Sequence, residues 1–97
     1  MNVHLSEVAE VPMEQAFDFY EDVRDGLGVE FAHELERAFR VLAEAPRRWA
    51  EVEGNFRRYR LRRFPYSLYY RVKSKGVDVL AIWHDARKPH GWRDDAS

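Results

Sequence analysis

The stretch from Phe56 to Trp92 constrains the fold more than any other part of the chain. From Phe56 to Phe64 the even positions read Phe56, Arg58, Arg60, Arg62 and Phe64, and the odd ones Arg57, Tyr59, Leu61 and Arg63. A period of two sends Arg58, Arg60 and Arg62 to one face of a strand, with Tyr59 and Leu61 on the other. Pro65 has no N–H for a ladder, so it ends that strand or marks an edge. Tyr66, Leu68, Tyr70 and Val72 then alternate with Ser67, Tyr69, Arg71 and Lys73. The first set is predicted to point inward. Ser74-Lys75-Gly76 makes a tight hairpin. Val77 to Trp83 is apolar on both faces, as a central or doubly covered strand requires.

The preceding half has helical periodicity. Met13, Ala16, Phe17, Tyr20 and Val23 predict a helix from about Val11 to Asp25, with Pro12 in its first turn. Gly26-Leu27-Gly28 stops it. Phe31, Leu35, Ala38, Phe39 and Leu42 predict a second helix from about Val29 to Glu44, ended by Pro46. Its wet side takes Glu30, Glu34, Glu36, Arg37 and Arg40. A first strand is expected near Val3–Ser6, and residues 47–55 are expected to form a loop in which Trp49 caps the core. The result is an α+β fold of order β-α-α-β-β-β in one domain over residues 1–97. An antiparallel two-helix hairpin packs on a mostly antiparallel four-stranded sheet. Which sheet face the helices cover stays open, and with it the exposure of Arg58, Arg60 and Arg62.

Charge is strongly segregated. Residues 1–46 hold 3 Lys/Arg and 11 Asp/Glu, whereas residues 47–75 hold 10 Lys/Arg and 2 Glu, so the formal net charge of −1 conceals a balance of −8 against +8. An anionic partner on the basic side accounts for this, and so does plain solvation of a basic sheet face. Without cysteine there is no disulfide framework or thiolate zinc site. No run is long and apolar enough to span a membrane, and the first residues lack the pattern of a secretion leader. A cytoplasmic location is the expectation.

Several side chains suit chemistry or binding. Arg58, Arg60, Arg62, Arg71 and Lys73 can meet phosphates or an acidic segment. Tyr69 and Trp92 offer stacking surfaces. His84, three residues before Arg87, can exchange a proton near neutral pH while the arginine steadies an anion. The plainer reading is that His84 only bonds a loop and holds the C-terminal segment. His84 and His90 lack a carboxylate–histidine setting for a metal, so no metal and no cofactor are expected.

Four features in order resemble the RelE/ParE toxin superfamily across nearly the whole chain. They are Gly26-Leu27-Gly28-x-x-Phe31, the helix closed by Pro46, Arg58 followed by Phe64-Pro65-Tyr66-x-x-x-Tyr70, and Ala81-x-x-His84-x-x-Arg87-x-Pro89-x-x-Trp92. The resemblance implies the toxin of a type II toxin–antitoxin system, of the kind that stabilises plasmids or arrests growth. Its expected partner is a cognate antitoxin whose acidic C-terminal segment wraps it, as a helix plus an added strand, in a hetero-oligomer. RelE-like members cleave mRNA on the ribosome, and ParE-like members poison DNA gyrase. The lysines of the RelE set align with Arg58 and Arg60, its next arginine with Ser67, and its tyrosine near Trp92. Arginine is a poor base, serine carries no charge, and indole is no proton source in water. The ParE-like branch and a non-enzymatic action are therefore favoured. The alternatives are a nuclease using His84, Arg58, Arg60 and Arg87, or a non-toxic member that only binds its partner. On the ParE-like reading the antitoxin, or another anionic partner, meets Arg58, Arg60, Arg62, Arg71, Lys73 and Trp92.

Overall fold

Glu21 is where the two helices are tied together. The computed structural model describes residues 1–88 and 91–93. In it α1 (Glu7–Val23) and α2 (Leu27–Glu44) form the expected hairpin. The Glu21 carboxylate accepts the N–H groups of Gly26 at 3.2 Å, Gly28 at 2.7 Å and Val29 at 3.2 Å. These are orphan donors at the start of α2, whose partial positive charge a carboxylate complements. Chiefly through the Gly26 bond, they hold the Glu21 carboxyl below its ordinary range. Gly26 turns the chain at φ +86°, and Gly28 lets the helices touch: a Cβ there would lie 2.6 Å from the Phe17 carbonyl oxygen.

Helix α1 begins a turn earlier than its pattern suggests. Ser6 precedes it in extended conformation, and Glu7 and Glu10 sit in the first turn, where acidic side chains favour the helix dipole. Pro12 therefore lies inside the helix. The ladder bond it removes would have ended on the carbonyl of Val8, which is 45% exposed.

Among the described residues the sheet has five strands, not four. They are β1 (Asn2–Leu5), β2 (Glu51–Glu53), β3 (Phe56–Arg60), β4 (Tyr66–Lys73) and β5 (Gly76–His84), in the spatial order β1-β5-β4-β3-β2. β1 runs parallel to β5, with Val3 opposite Val77, and the other neighbours are antiparallel. The extra strand, β2, comes from the stretch expected to be loop. It turns through Gly54 at φ +55° and lines the edge of β3. A bulge at Leu80 shifts β5, so that Tyr69 faces Ala81 while Tyr70 faces Val79.

The helices cover the face carrying Leu68, Tyr70, Val77, Val79 and Ile82. Phe31, Leu35, Ala38 and Leu42 of α2 meet them there with Ala9 and Ala16 of α1. Trp49 packs against this core edge-to-face with Tyr59, as expected. Tyr70 donates its hydroxyl to the Pro46 carbonyl at 2.8 Å, and burial pushes its pKa up to about 12.

Strand β3 stops at Arg60, short of Phe64. The Leu61 N–H bonds the Tyr66 carbonyl at 2.9 Å and closes a tight loop. The buried Glu34 carboxylate accepts the N–H groups of Arg62 at 2.9 Å and Arg63 at 3.2 Å. Glu34 is thus a loop anchor in the interior and not a wet-side residue. Leu61 and Phe64 drop into the core beside it, so Arg62 leaves the arginine row on β3.

Candidate functional site

The sheet face away from the helices is not an open platform. Phe56, Arg58 and Arg60 of β3 lie opposite Arg71, Tyr69 and Ser67 of β4, and Ser67 in turn lies opposite Trp83 of β5. A second apolar cluster forms there, made of Ala81, Trp83 and Trp92 with Phe56 and Tyr69 against them. Trp92 is stacked on Tyr69, with ring centroids 4.5 Å apart, and edge-on to Phe56. It is 1% exposed, so it offers no surface to a partner. The expectation of a contact residue fails because the chain folds back over this face. Arg93 extends that closure by pairing with Glu53 of β2.

Arg58 and Arg60 project at the other end of this face, around one carboxylate. Arg58 Nε donates to Ser67 Oγ at 3.1 Å, and Ser67 Oγ donates to Asp85 Oδ1 at 2.7 Å. Arg58 Nη2 lies 3.5 Å from Asp85 Oδ1, and Arg60 Nε lies 3.3 Å from Oδ2. The Asp85 N–H bonds the Pro65 carbonyl at 2.8 Å, which fixes the acid in place. Two guanidiniums therefore share one nearly buried carboxylate, and the cluster keeps a surplus positive charge at the surface. Ser67 entered the sequence reading only as an uncharged position, and Asp85 escaped it. Ser67 sits at an outward position but is 1% exposed, and Asp85 merely follows the last strand.

The remaining cations are dispersed. Lys73 pairs with Asp78 at 2.6 Å near the β4–β5 hairpin, about 20 Å along the strand from Ser67. Arg71 lies over the Phe56 ring at 5.6 Å, with its Nε buried and unpartnered. Arg62 is exposed on the loop above Glu34. The sequence's single basic stripe is thus an Arg58–Arg60 pair with three separated outliers.

His84 stands on the opposite, helix-facing side, paired with Tyr66 in the sheet and edge-on to its ring at 5.0 Å. Its Nδ1 accepts the Ala86 N–H at 3.0 Å, which leaves the ring proton on Nε2. It lines a groove of about 230 Å³ with Pro12, Gln15, Phe19 and Arg87. Arg87 is held with its Cζ 3.7 Å above the Trp83 ring. The sheet therefore separates His84 from Arg58 and Arg60, and the four suggested catalytic residues do not converge. Among the described residues no cluster of three or more potential metal ligands occurs, and His90 lies outside them.

Another concavity lies elsewhere, on the surface of the helix hairpin. A groove of about 510 Å³ runs between α1 and α2, floored by Met13, Phe17, Phe31, Ala32, Leu35 and Phe39. Glu14, Asp18 and Glu36 edge it.

Comparison with known proteins accords with this geometry. No curated protein matches the chain. A solved structure described as "Chromosomal ParDE TA system from P. aeruginosa" superposes with a TM-score of 0.76 at 19% identity, covering 87% of this chain and 95% of the other. A family model described as "ParE toxin of type II toxin-antitoxin system, parDE" matches residues 3–89, nearly the whole chain. The chain belongs to the ParE toxin family of type II toxin–antitoxin systems.

Proposed function

We propose that this protein arrests growth by acting on DNA gyrase, not by cutting RNA, and that a cognate antitoxin holds it silent in the cytoplasm. The observation that carries the first part is the position of His84, across the sheet from Arg58 and Arg60. Cleavage of RNA through its 2′-hydroxyl needs a base, an acid for the leaving oxygen and a cation on the phosphate, all within reach of one atom. Here the cations lie on one side and the titratable ring on the other. Arginine beside Asp85 stays charged and does not replace the base. The Arg58–Arg60 pair keeps enough exposed charge to touch an anionic target without chemistry. The apolar groove on the helix hairpin is a surface suited to a protein partner, because it is concave and keeps Met13, Phe17 and Phe39 partly open.

The test is to induce the chain alone, then map mRNA ends and assay supercoiling in parallel. Stalled gyrase–DNA cleavage complexes with intact mRNA are the expected result. Codon-periodic mRNA cuts that vanish in His84→Ala would overturn the proposal in favour of the nuclease. Unimpeded growth would leave partner binding alone.

A further inference from the structure

We infer that the groove between α1 and the His84 end of β5 binds the phosphate of a nucleoside monophosphate, whose base lies on the ring of Phe19. The site is independent of the target that the toxin attacks.

The phosphate follows from the donors. Gln15 of α1, Tyr66 of β4 and His84 of β5 line the groove, with Arg87 from the turn that follows. All four can donate hydrogen bonds, and no carboxylate stands among the lining residues. The α1–α2 groove is edged by Glu14, Asp18 and Glu36, and so repels what this one attracts. The Ala86 N–H on Nδ1 sets the His84 ring in place and leaves Nε2–H as a donor. Arg87 is steadied by the Trp83 ring, 3.7 Å from its Cζ. Burial raises the pKa of the Tyr66 phenol, and the Arg87 charge draws it back down, as a nearby guanidinium does. The Gln15 amide, the Tyr66 hydroxyl and His84 Nε2 have no hydrogen-bond partner among the described residues, and Arg87 pairs with no acid there. Donors in this number suit the three terminal oxygens of a phosphate monoester better than the two of a carboxylate. Arg58 and Arg60, on the other face of the sheet, already have Asp85 to answer them, so a lone phosphate gains less there.

The base follows from the size of the groove and from its rim. A volume of about 230 Å³ is under the ~300 Å³ at which small-molecule sites begin, so the groove takes a headgroup and the remainder of the ligand lies outside. Phe19 stands at that rim, 60% exposed although it is aromatic. Tyr20 meets its ring only edge-to-face, at 5.3 Å. An exposed flat ring beside a phosphate site is a platform on which a base stacks. Pro12, Ala16 and Ile82 wall the groove with carbon between the two, where the sugar passes.

AMP is titrated calorimetrically against the whole purified chain, beside adenosine and inorganic phosphate. AMP is expected to bind at least about tenfold tighter than either. Arg87→Gln is expected to weaken AMP about tenfold, whereas Arg40→Gln, which removes an exposed charge from α2, leaves it unchanged. Phe19→Ser is expected to bring AMP down to the level of inorganic phosphate and to leave phosphate as it was. Native circular dichroism is checked for each variant. In NMR spectra of the wild-type chain, the His84 ring protons are expected to shift as AMP is added. A free nucleotide and the phosphorylated end of a strand both carry this chemistry. A terminally phosphorylated adenine dinucleotide that matches AMP assigns the site to strand ends, and one that binds more weakly assigns it to the free nucleotide. AMP that binds no tighter than adenosine overturns the inference. So do His84 resonances that stay in place at saturation, or equal losses in Arg40→Gln and Arg87→Gln.

Discussion

Ser67 and Asp85 are joined by a 2.7 Å hydrogen bond at a point where the sheet would otherwise present bare guanidinium groups. The serine hydroxyl relays Arg58 to the carboxylate, and the carboxylate holds Arg60 from the other side. Asp85→Asn keeps the shape and removes the charge. It is expected to lower stability by about 1–2 kcal/mol, as for a lost charged hydrogen bond, and to make the protein elute later from a heparin column. Urea denaturation and column retention check both halves. Unchanged retention would show that Asp85 does not mask the arginines.

Glu34 makes a different kind of prediction. Its carboxylate is buried and serves two backbone N–H groups of the Arg62–Arg63 loop. Glu34→Ala leaves both donors without a partner and is expected to cost roughly 2–3 kcal/mol. For a domain of this size that is a fall in Tm on the order of 10 °C. A variant melting within a degree or two of the parent would show that the loop holds itself.

The two glycines of the helix turn separate two causes of strain. Gly26→Ala forces a Cβ into φ +86° but meets nothing within 4 Å, so its cost is about 1 kcal/mol. Gly28→Ala drives a methyl group against the Phe17 carbonyl and the Glu21 side chain, so α1 and α2 must move apart. Its expected cost is larger, about 2–3 kcal/mol, like other overpacking changes. Equal losses in chemical denaturation would contradict the close approach of the helices.

Two groups set opposite pH limits. Glu21 titrates below its ordinary value of 4.5 in the folded chain. Its contribution is therefore complete above that pH and is lost as pH falls through the lower folded value. Glu21→Gln should flatten that part of the acid limb of stability. Tyr70 is the reverse case. Its pKa rises from 10.0 to about 12, so the unfolded chain ionises first and stability declines as pH climbs across that interval. Tyr70→Phe should remove one late-titrating phenol from the tyrosinate absorbance curve. An unaltered curve would show that Tyr70 is not the late group.

Regular elements were legible because their periods are local. Phe31, Leu35, Ala38 and Leu42 announce one buried helix face whatever they pack on. The alternation around Leu68 and Tyr70 likewise gives a strand. Less visible was anything that depends on a distant partner. Three-residue β2 exists only because β3 lies beside it. Glu34 reads as a surface residue until the Arg62–Arg63 loop supplies its donors. The arginine row looked open because period two assigns faces without saying what covers them. Trp92 could not be placed because its neighbours Tyr69 and Phe56 come from two other strands. Even the separation of His84 from Arg58 and Arg60 needs the register across β3, β4 and β5, which no single segment contains.

The parallel pairing of β1 with β5 has a consequence for how this protein comes into being. Val3 has no partner until Val77 has been made, so the opening strand must wait for the last. Loops of that span close late in folding, after the local hairpins. A chain interrupted anywhere before β5 lacks the strand that joins β1 to the rest of its sheet. The fold can therefore close only at the end of synthesis, when its last strand emerges to tie the first to the rest.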